Sequence, residues 1–269
     1  MKNDIKEITA QLEQGVKEVF TSDKYIEYLR FMSKFTSYSV NNIILILMQK
    51  PEASLVAGYK AWQTKFNRQV RKGEHGITIL APCPHKKEVE EEDGSTKEVV
   101  WTTFRTVKVF DVSQTDGEDL PTGCVQTLTG EVEGFTDLKA KLEEFSPVSV
   151  SYEEITGGAN GFYDLEKKRI AIKEGMSEAQ TIKTLIHEIS HAILHDNETG
   201  EEKGADRNTK EVQAESVAYT VCSMLGLDTS DYSFGYIAGW SSDKDTKELN
   251  KSMEVIRTTA KSFMDKLAA

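Results

Sequence analysis

The sequence predicts an α+β fold in two domains, and three features carry that expectation. Helical periodicity covers residues 4–50, β-rich segments follow to residue 110, and after a turn-rich stretch the helical pattern returns. A chain of 269 residues can bury two cores of ordinary size. The expected division is 1–118 for the first domain, 119–145 for a linker and connecting helix, and 146–269 for a second domain ending in a helix.

The elements follow in order. From Asp4 to about Lys50 the pattern gives three helices: one amphipathic, one around Lys24 to Phe35, and one from Ser39 through the apolar run Ile43 to Met48. Ile77 to Ala81 and Val99 to Phe110 have strand composition, and Glu88 to Lys97 between them holds an Asp-Gly turn signal, expected as an exposed hairpin tip. Ser113 to Gly123 is rich in turn formers and is the expected linker. A helix over Thr136 to Phe145 leads into the second domain. There Gly161 to Asp164 and Arg169 to Lys173 flank a short turn, as a hairpin or edge strand would. Ser177 with Gln180 forms a capping box for a helix starting near Glu178, whose apolar stripe is Ile182, Leu185, Ile186, Ile189 and Ile193. Lys210 to Cys222 is expected as a further helix. A tail helix with Leu249, Met253, Ile256, Phe263 and Leu267 on one face ends the chain.

Composition narrows the class. A net charge of −11 argues against a wholly basic nucleic-acid coat, so any such contact must be local. The three cysteines, Cys83, Cys124 and Cys222, form no paired-thiol motif, and a reducing cytoplasm fits them. The start of the chain is charged and lacks the apolar core of a signal peptide. The run from Ile43 to Met48 is too short to span a bilayer, so no membrane association is expected.

The most informative segment is Thr184-Leu-Ile-His187-Glu188-Ile-Ser-His191. Histidines four apart on a helix are separated by about 6 Å along the axis and about 40° around it, so both imidazoles reach one ion. Glu188, about 100° round from His187, suits a carboxylate that takes a proton from an activated water. This is the helical zinc-hydrolase signature, with Zn2+ as the expected cofactor. A third protein ligand leaves one position open. Glu211 and Glu215, one turn apart on the following helix, are the candidates. Glu215 is favoured because Ala214 and Ala218 beside it permit close helix approach, which would leave Glu211 at the edge of the site. His195 lies eight residues beyond His187 with no glycine to bend the helix, and is expected as a helix-end cation or a supporting group. Tyr163, Tyr219 and the Tyr232 to Tyr236 region could each supply a phenol, with core packing as the default.

From about Ser146 to Trp240 the chain resembles the gluzincin-like metallopeptidases, in particular the branch of ImmA/IrrE-type proteins and the C-terminal domain of ArdC-type antirestriction proteins. The resemblance implies a zincin-like domain with His187, His191 and Glu215 as metal ligands and Glu188 as general base, acting on a protein or peptide substrate that it does not identify.

In the first domain, residues 58–73 hold Lys60, Lys65, Arg68, Arg71 and Lys72 without an acidic residue, interleaved with Tyr59, Trp62 and Phe66. Cations with aromatic faces suit single-stranded nucleic acid, and Lys60, Trp62, Lys65, Arg68, Arg71 and Lys72 are the candidate contacts. The spacing of Trp62 and Phe66 equally suits the buried face of a short helix. The ordered motifs Ser39-Val-Asn-Asn42, Val56-Ala-Gly-Tyr-Lys-Ala-Trp62, Arg71-Lys-Gly-Glu-His-Gly-Ile77 and Val109-Phe-Asp-Val-Ser-Gln-Thr115 resemble the N-terminal domain of ArdC-type proteins. That resemblance, over about Lys24 to Leu120, implies single-stranded-DNA binding in proteins carried by plasmids and other mobile elements. The acidic run Glu88 to Asp93 repels phosphate. The expected protein is thus a DNA-binding module fused to a zinc peptidase, with antirestriction or element transfer as its setting. Alternatives are a DNA-shielding protein whose metal site is structural or vestigial, and a regulator-cleaving peptidase whose first domain binds protein.

Overall fold

The computed structural model describes residues 2–90, 96–118, 120, 134–202, 204–227, 229, 232 and 234–268. The expected Asp93-Gly94 turn lies outside these residues, as do 119 and 121–123 of the expected linker, whereas its first half is structured. Three helices open the chain: α1 (Lys2–Val19), α2 (Ser22–Lys34) and α3 (Val40–Gln49). Two compact units form, one from residues 1–15 and 41–120, the other from 16–40 and 121–269. Each unit therefore draws on two separate stretches of chain.

In the first unit, β1 (Val56–Gly58), α4 (Tyr59–Lys65) and β2 (Arg68–Val70) precede the ribbon of β3 (Ile77–Glu90) and β4 (Thr96–Asp111), and β5 (Thr115–Gly117) pairs back on β2. The sheet order is β1-β4-β3, all antiparallel. β3 runs nine residues past Ala81, where sequence reasoning stops it, through Pro82 and Pro84. The reason is an edge. Gln49 of α3 brackets Thr78 with both halves of its amide, at 2.9 Å each, and Asn42 does the same to Leu80 at 2.9 Å. Positions 78, 80, 82 and 84 face the same side of the ladder, so the two prolines stand where an unpaired N–H would otherwise project. Asp111 holds the base of the ribbon: its buried carboxylate accepts from the N–H groups of Ser54, Leu55 and Ser113 at 2.8–3.1 Å, and burial fails to offset those bonds, so its pKa falls.

The second unit begins its C-terminal stretch with α5 (Phe135–Phe145), followed by β6 (Ser149–Glu153), β7 (Gly161–Asp164) and β8 (Arg169–Lys173). Their order is β6-β8-β7, with β6 parallel to β8 and β7 antiparallel, so β7 is an edge strand. Helix α6 (Glu178–Leu194) lies on this sheet, and α7 (Arg207–Met224) lies on α6. The short α8 (Ile237–Ser241) and the long α9 (Thr246–Leu267) complete the unit. α7 is its hub, packing against α2, α6 and α9. That position explains its composition: Val212, Ala214, Ser216, Val217, Ala218, Tyr219 and Val221 are all buried, as on a helix covered from every side. α2 joins this unit because Tyr25, Tyr28, Leu29 and Met32 are buried, with the Tyr25 hydroxyl 2.8 Å from Ser216 Oγ. Among the described residues no helix is long and apolar enough to cross a membrane.

Candidate metal centre

The capping of α6 sets the register of the centre. Ser177 Oγ accepts the Gln180 N–H at 3.3 Å, but the Gln180 side chain turns to Thr184 Oγ1 at 3.1 Å, so half of the expected capping box forms. The buried stripe of Ile182, Leu185, Ile186 and Ile189 fixes the rotation of the helix. His187, Glu188 and His191 consequently line one cavity of about 670 Å³, with Gly161, Phe162 and Tyr163 of β7, Leu165, and Arg207, Lys210 and Glu211 of α7. Gly161 permits the close approach of strand and helix, since a Cβ there would lie 2.7 Å from Thr184 Cγ2 and 3.2 Å from Glu188 Cγ.

The Nε2 atoms of His187 and His191 are 3.1 Å apart, and Glu211 Oε2 lies 3.7 Å from each. These three residues form the cluster of donor atoms, all within 4.8 Å of one another. Glu215, the ligand favoured from sequence, lies elsewhere: its Oε2 is 3.1 Å from Nδ1 of His187, on the far side of the ring and off the hydrogen-bond direction. The helical turn separating the two glutamates decides this, because Glu211 comes level with both Nε2 atoms and Glu215 comes level with the opposite ring edge. Lys183 Nζ stands 4.0 Å from the second oxygen of Glu215.

The donor set fits a divalent cation. With Nδ1 of His187 facing a carboxylate and Nδ1 of His191 facing another ring nitrogen at 2.9 Å, each Nε2 is left to direct a lone pair into the same space. Two bare nitrogens at 3.1 Å repel unless a cation lies between them. Two ligands on a tetrahedral ion are about 3.3 Å apart when each bond is about 2.05 Å. Burial lowers the His187 pKa, but Glu215, Glu188 and Glu211 outweigh it and hold it above the ordinary value. The nearby His191 ring, with His187 behind it, pulls the Glu211 pKa down.

Glu188 is 7% exposed, and burial raises its pKa, opposed by the two histidines and by the hydrogen bond it accepts from the Tyr163 N–H. His195, expected as a helix-end cation or supporting group, is buried at the C-cap of α6 and pushed down to about 4 by desolvation, so it is a neutral partner of His191. The Tyr163 phenol is bound to Asp196 Oδ2 at 2.5 Å, which also pairs with Lys168. Tyr219 and Tyr232 are buried, whereas Tyr236 is exposed.

The cation-rich window resolves differently. Trp62 is fully buried, its indole N–H donating to the Phe110 carbonyl at 2.9 Å and its ring packed on Phe66, with Ala57 and Val70 in the same core. It offers no face to a base. Arg68 is bound to Thr115, Gly117 and Glu118, and Arg71 to Glu74, Asp116 and the Ser113 carbonyl. Lys60, Lys65 and Lys72 are exposed and have no carboxylate partner among the described residues, and Tyr59 is 45% exposed with its ring edge-on to Phe110.

Two families match the chain. The N-terminal domain of the anti-restriction factor ArdC matches residues 2–112, and the IrrE N-terminal-like domain, a peptidase family, matches residues 145–232. The chain carries an ArdC-like N-terminal domain and an IrrE-like peptidase domain. A crystal structure of antirestriction ArdC from plasmid R388, metal-free, is 21% identical with a TM-score of 0.56, covering 86% of this chain and 85% of that one. The Mn(II)-bound structure of the same protein is 20% identical with a TM-score of 0.51 over the same shares. Both show the ArdC fold shared by the chain. An uncharacterized Bacillus anthracis protein is 25% identical over 98% of the chain, which spans about half of that relative, 51%. The ArdC-like fold thus brings the His-Glu-x-x-His helix and the first turn of α7 together in its peptidase-like unit.

Proposed function

We propose that this ArdC-like chain is a metal-dependent peptidase joined to a module that binds single-stranded DNA, serving antirestriction on a mobile element. The observation that carries the catalytic half is the pair of Nε2 atoms 3.1 Å apart with Glu211 3.7 Å from both and Glu188 in the same cavity. His187, His191 and Glu211 would hold the ion, with Glu215 supporting His187. A divalent ion there supplies Lewis-acid activation of water and of a scissile carbonyl. Zinc suits two imidazoles and a carboxylate, and the Mn(II)-bound relative makes manganese the second metal to test.

Glu188 takes a proton from the attacking water and returns it to the leaving amine. Its burial favours the neutral carboxyl, which helps it hold that proton between the two steps. The free edge of β7 borders the cavity and offers backbone groups to an extended peptide, the geometry of strand addition. For the DNA half, Lys60, Lys65 and Lys72 are the phosphate contacts and Tyr59 the stacking face.

Glu188→Gln tests the proposal. Antirestriction lost while metal and oligonucleotide binding persist supports catalysis; protection retained at the wild-type level would mean that DNA shielding is the activity. Binding of a protein in place of DNA by the first unit predicts no dependence of affinity on oligonucleotide length.

A further inference from the structure

We propose that His195 and Gln213 are positioning residues that fix the tautomer of His191 and so set the affinity of the centre for its cation; the inference rests on the metal-centre reading above. The ring nitrogens Nδ1 of His191 and Nδ1 of His195 are 2.9 Å apart, His195 Nε2 is 2.9 Å from Gln213 Oε1, and Gln213 Nε2 is 3.3 Å from Ser252 Oγ. His195, Gln213 and Ser252 are 2%, 1% and 5% exposed, so the chain cannot be satisfied by bulk water.

The direction of the chain follows from what each atom can do. An amide oxygen only accepts, so His195 carries its proton on Nε2. A neutral imidazole has one ring proton, which leaves Nδ1 of His195 bare and able to accept the Nδ1–H of His191. His191 must then present a bare Nε2 to Glu211 and His187. Ser252 accepts from the amide nitrogen and holds Gln213 in the orientation that starts the sequence. The two imidazoles are thus supported unequally. Glu215 places a formal charge beside His187, off the hydrogen-bond direction of its Nδ1, whereas the arm through His195 orients His191 without adding one.

The C-cap of α6 makes this possible. His195 leaves helical geometry with φ −116° and ψ 6°, and from α7 Gln213 reaches its far nitrogen. Loss of the Gln213 acceptor frees His195 to protonate on Nδ1, which would oblige His191 to carry its proton on Nε2, the nitrogen the metal needs.

Two measurements on the full chain test this. Long-range 15N–1H correlation spectra of the metal-free wild type read the tautomers directly: His195 protonated on Nε2 and His191 on Nδ1 are expected, and a neutral His195 protonated on Nδ1 overturns the proposal. Competition against a chelator then gives zinc affinity. Gln213→Leu is expected to bind roughly 10–100-fold more weakly, and Gln213→Glu, still an acceptor, to recover most of the loss. Equal zinc affinity in Gln213→Leu and wild type also overturns it. A wild type that binds neither zinc nor manganese refutes the metal-centre reading instead, while the spectra still decide the tautomers.

Discussion

Two polar segments of this chain, the His187–His191 turn of α6 and the cationic window at 58–73, invite functional readings from sequence, and the structure treats them oppositely. On α6 the polar residues that suggested chemistry share one cavity. In the window, three of the six candidate contacts turn into the scaffold: Trp62 into the core, Arg68 and Arg71 into hydrogen bonds with the segment from Ser113 to Glu118. The difference lies in the range of the interaction that decides each. Histidines four apart on a helix meet because of local backbone geometry, whatever surrounds them. An aromatic residue among cations faces a base or a core according to what the rest of the fold places over it.

The comparison can be broken at several points. The largest effect is expected at Glu188: Glu188→Gln should lower peptide cleavage by ~10²–10⁴-fold while metal binding is kept, measured with a metal-loaded peptide digest. Next comes Trp62→Ala, for which a core tryptophan predicts about 3–5 kcal/mol of destabilisation in denaturant unfolding. A variant of wild-type stability with weakened oligonucleotide binding would return Trp62 to the interface. Within the centre, Glu215→Gln should cost roughly 10–100-fold in metal affinity, and Glu211→Gln more, because it removes a donor. Titration with zinc and with manganese checks the order, and a larger loss at Glu215 would restore the assignment made from sequence. The smallest effect is the salt slope. Neutralising Lys60, Lys65 or Lys72 should flatten log affinity against log salt by about 0.7 each, while Arg68→Gln should lower stability and leave the slope unchanged.

Legibility tracked the same divide. The three N-terminal helices, the start of α6 at Glu178 and the β7–β8 hairpin follow from caps, periodicity and turn residues, all local signals. β3 ran past two prolines because its open edge could tolerate missing donors. Asn42 and Gln49, polar positions on an apolar helix, carried the missing signal: seven apart, they share a face and can pair with a neighbouring strand. The choice between Glu211 and Glu215 depended on the relative rise of two helices. Gln213 gave no signal at all, since a glutamine in a buried helix is recognisable only by what it touches.

The sequence by itself determined that two histidines and a glutamate share one helical turn, that a second helix brings carboxylates one turn apart, and that the chain separates into a β-ribbon part and a helix-rich part. Those facts are written in spacing and composition, which the backbone converts to geometry within a few residues. Tertiary structure alone decided which carboxylate lies nearest both Nε2 atoms, that His195 is buried against His191, and that Trp62 is core. Each of those depends on elements distant in the chain packing at a particular height and rotation, and burial then fixes which charges and protons persist.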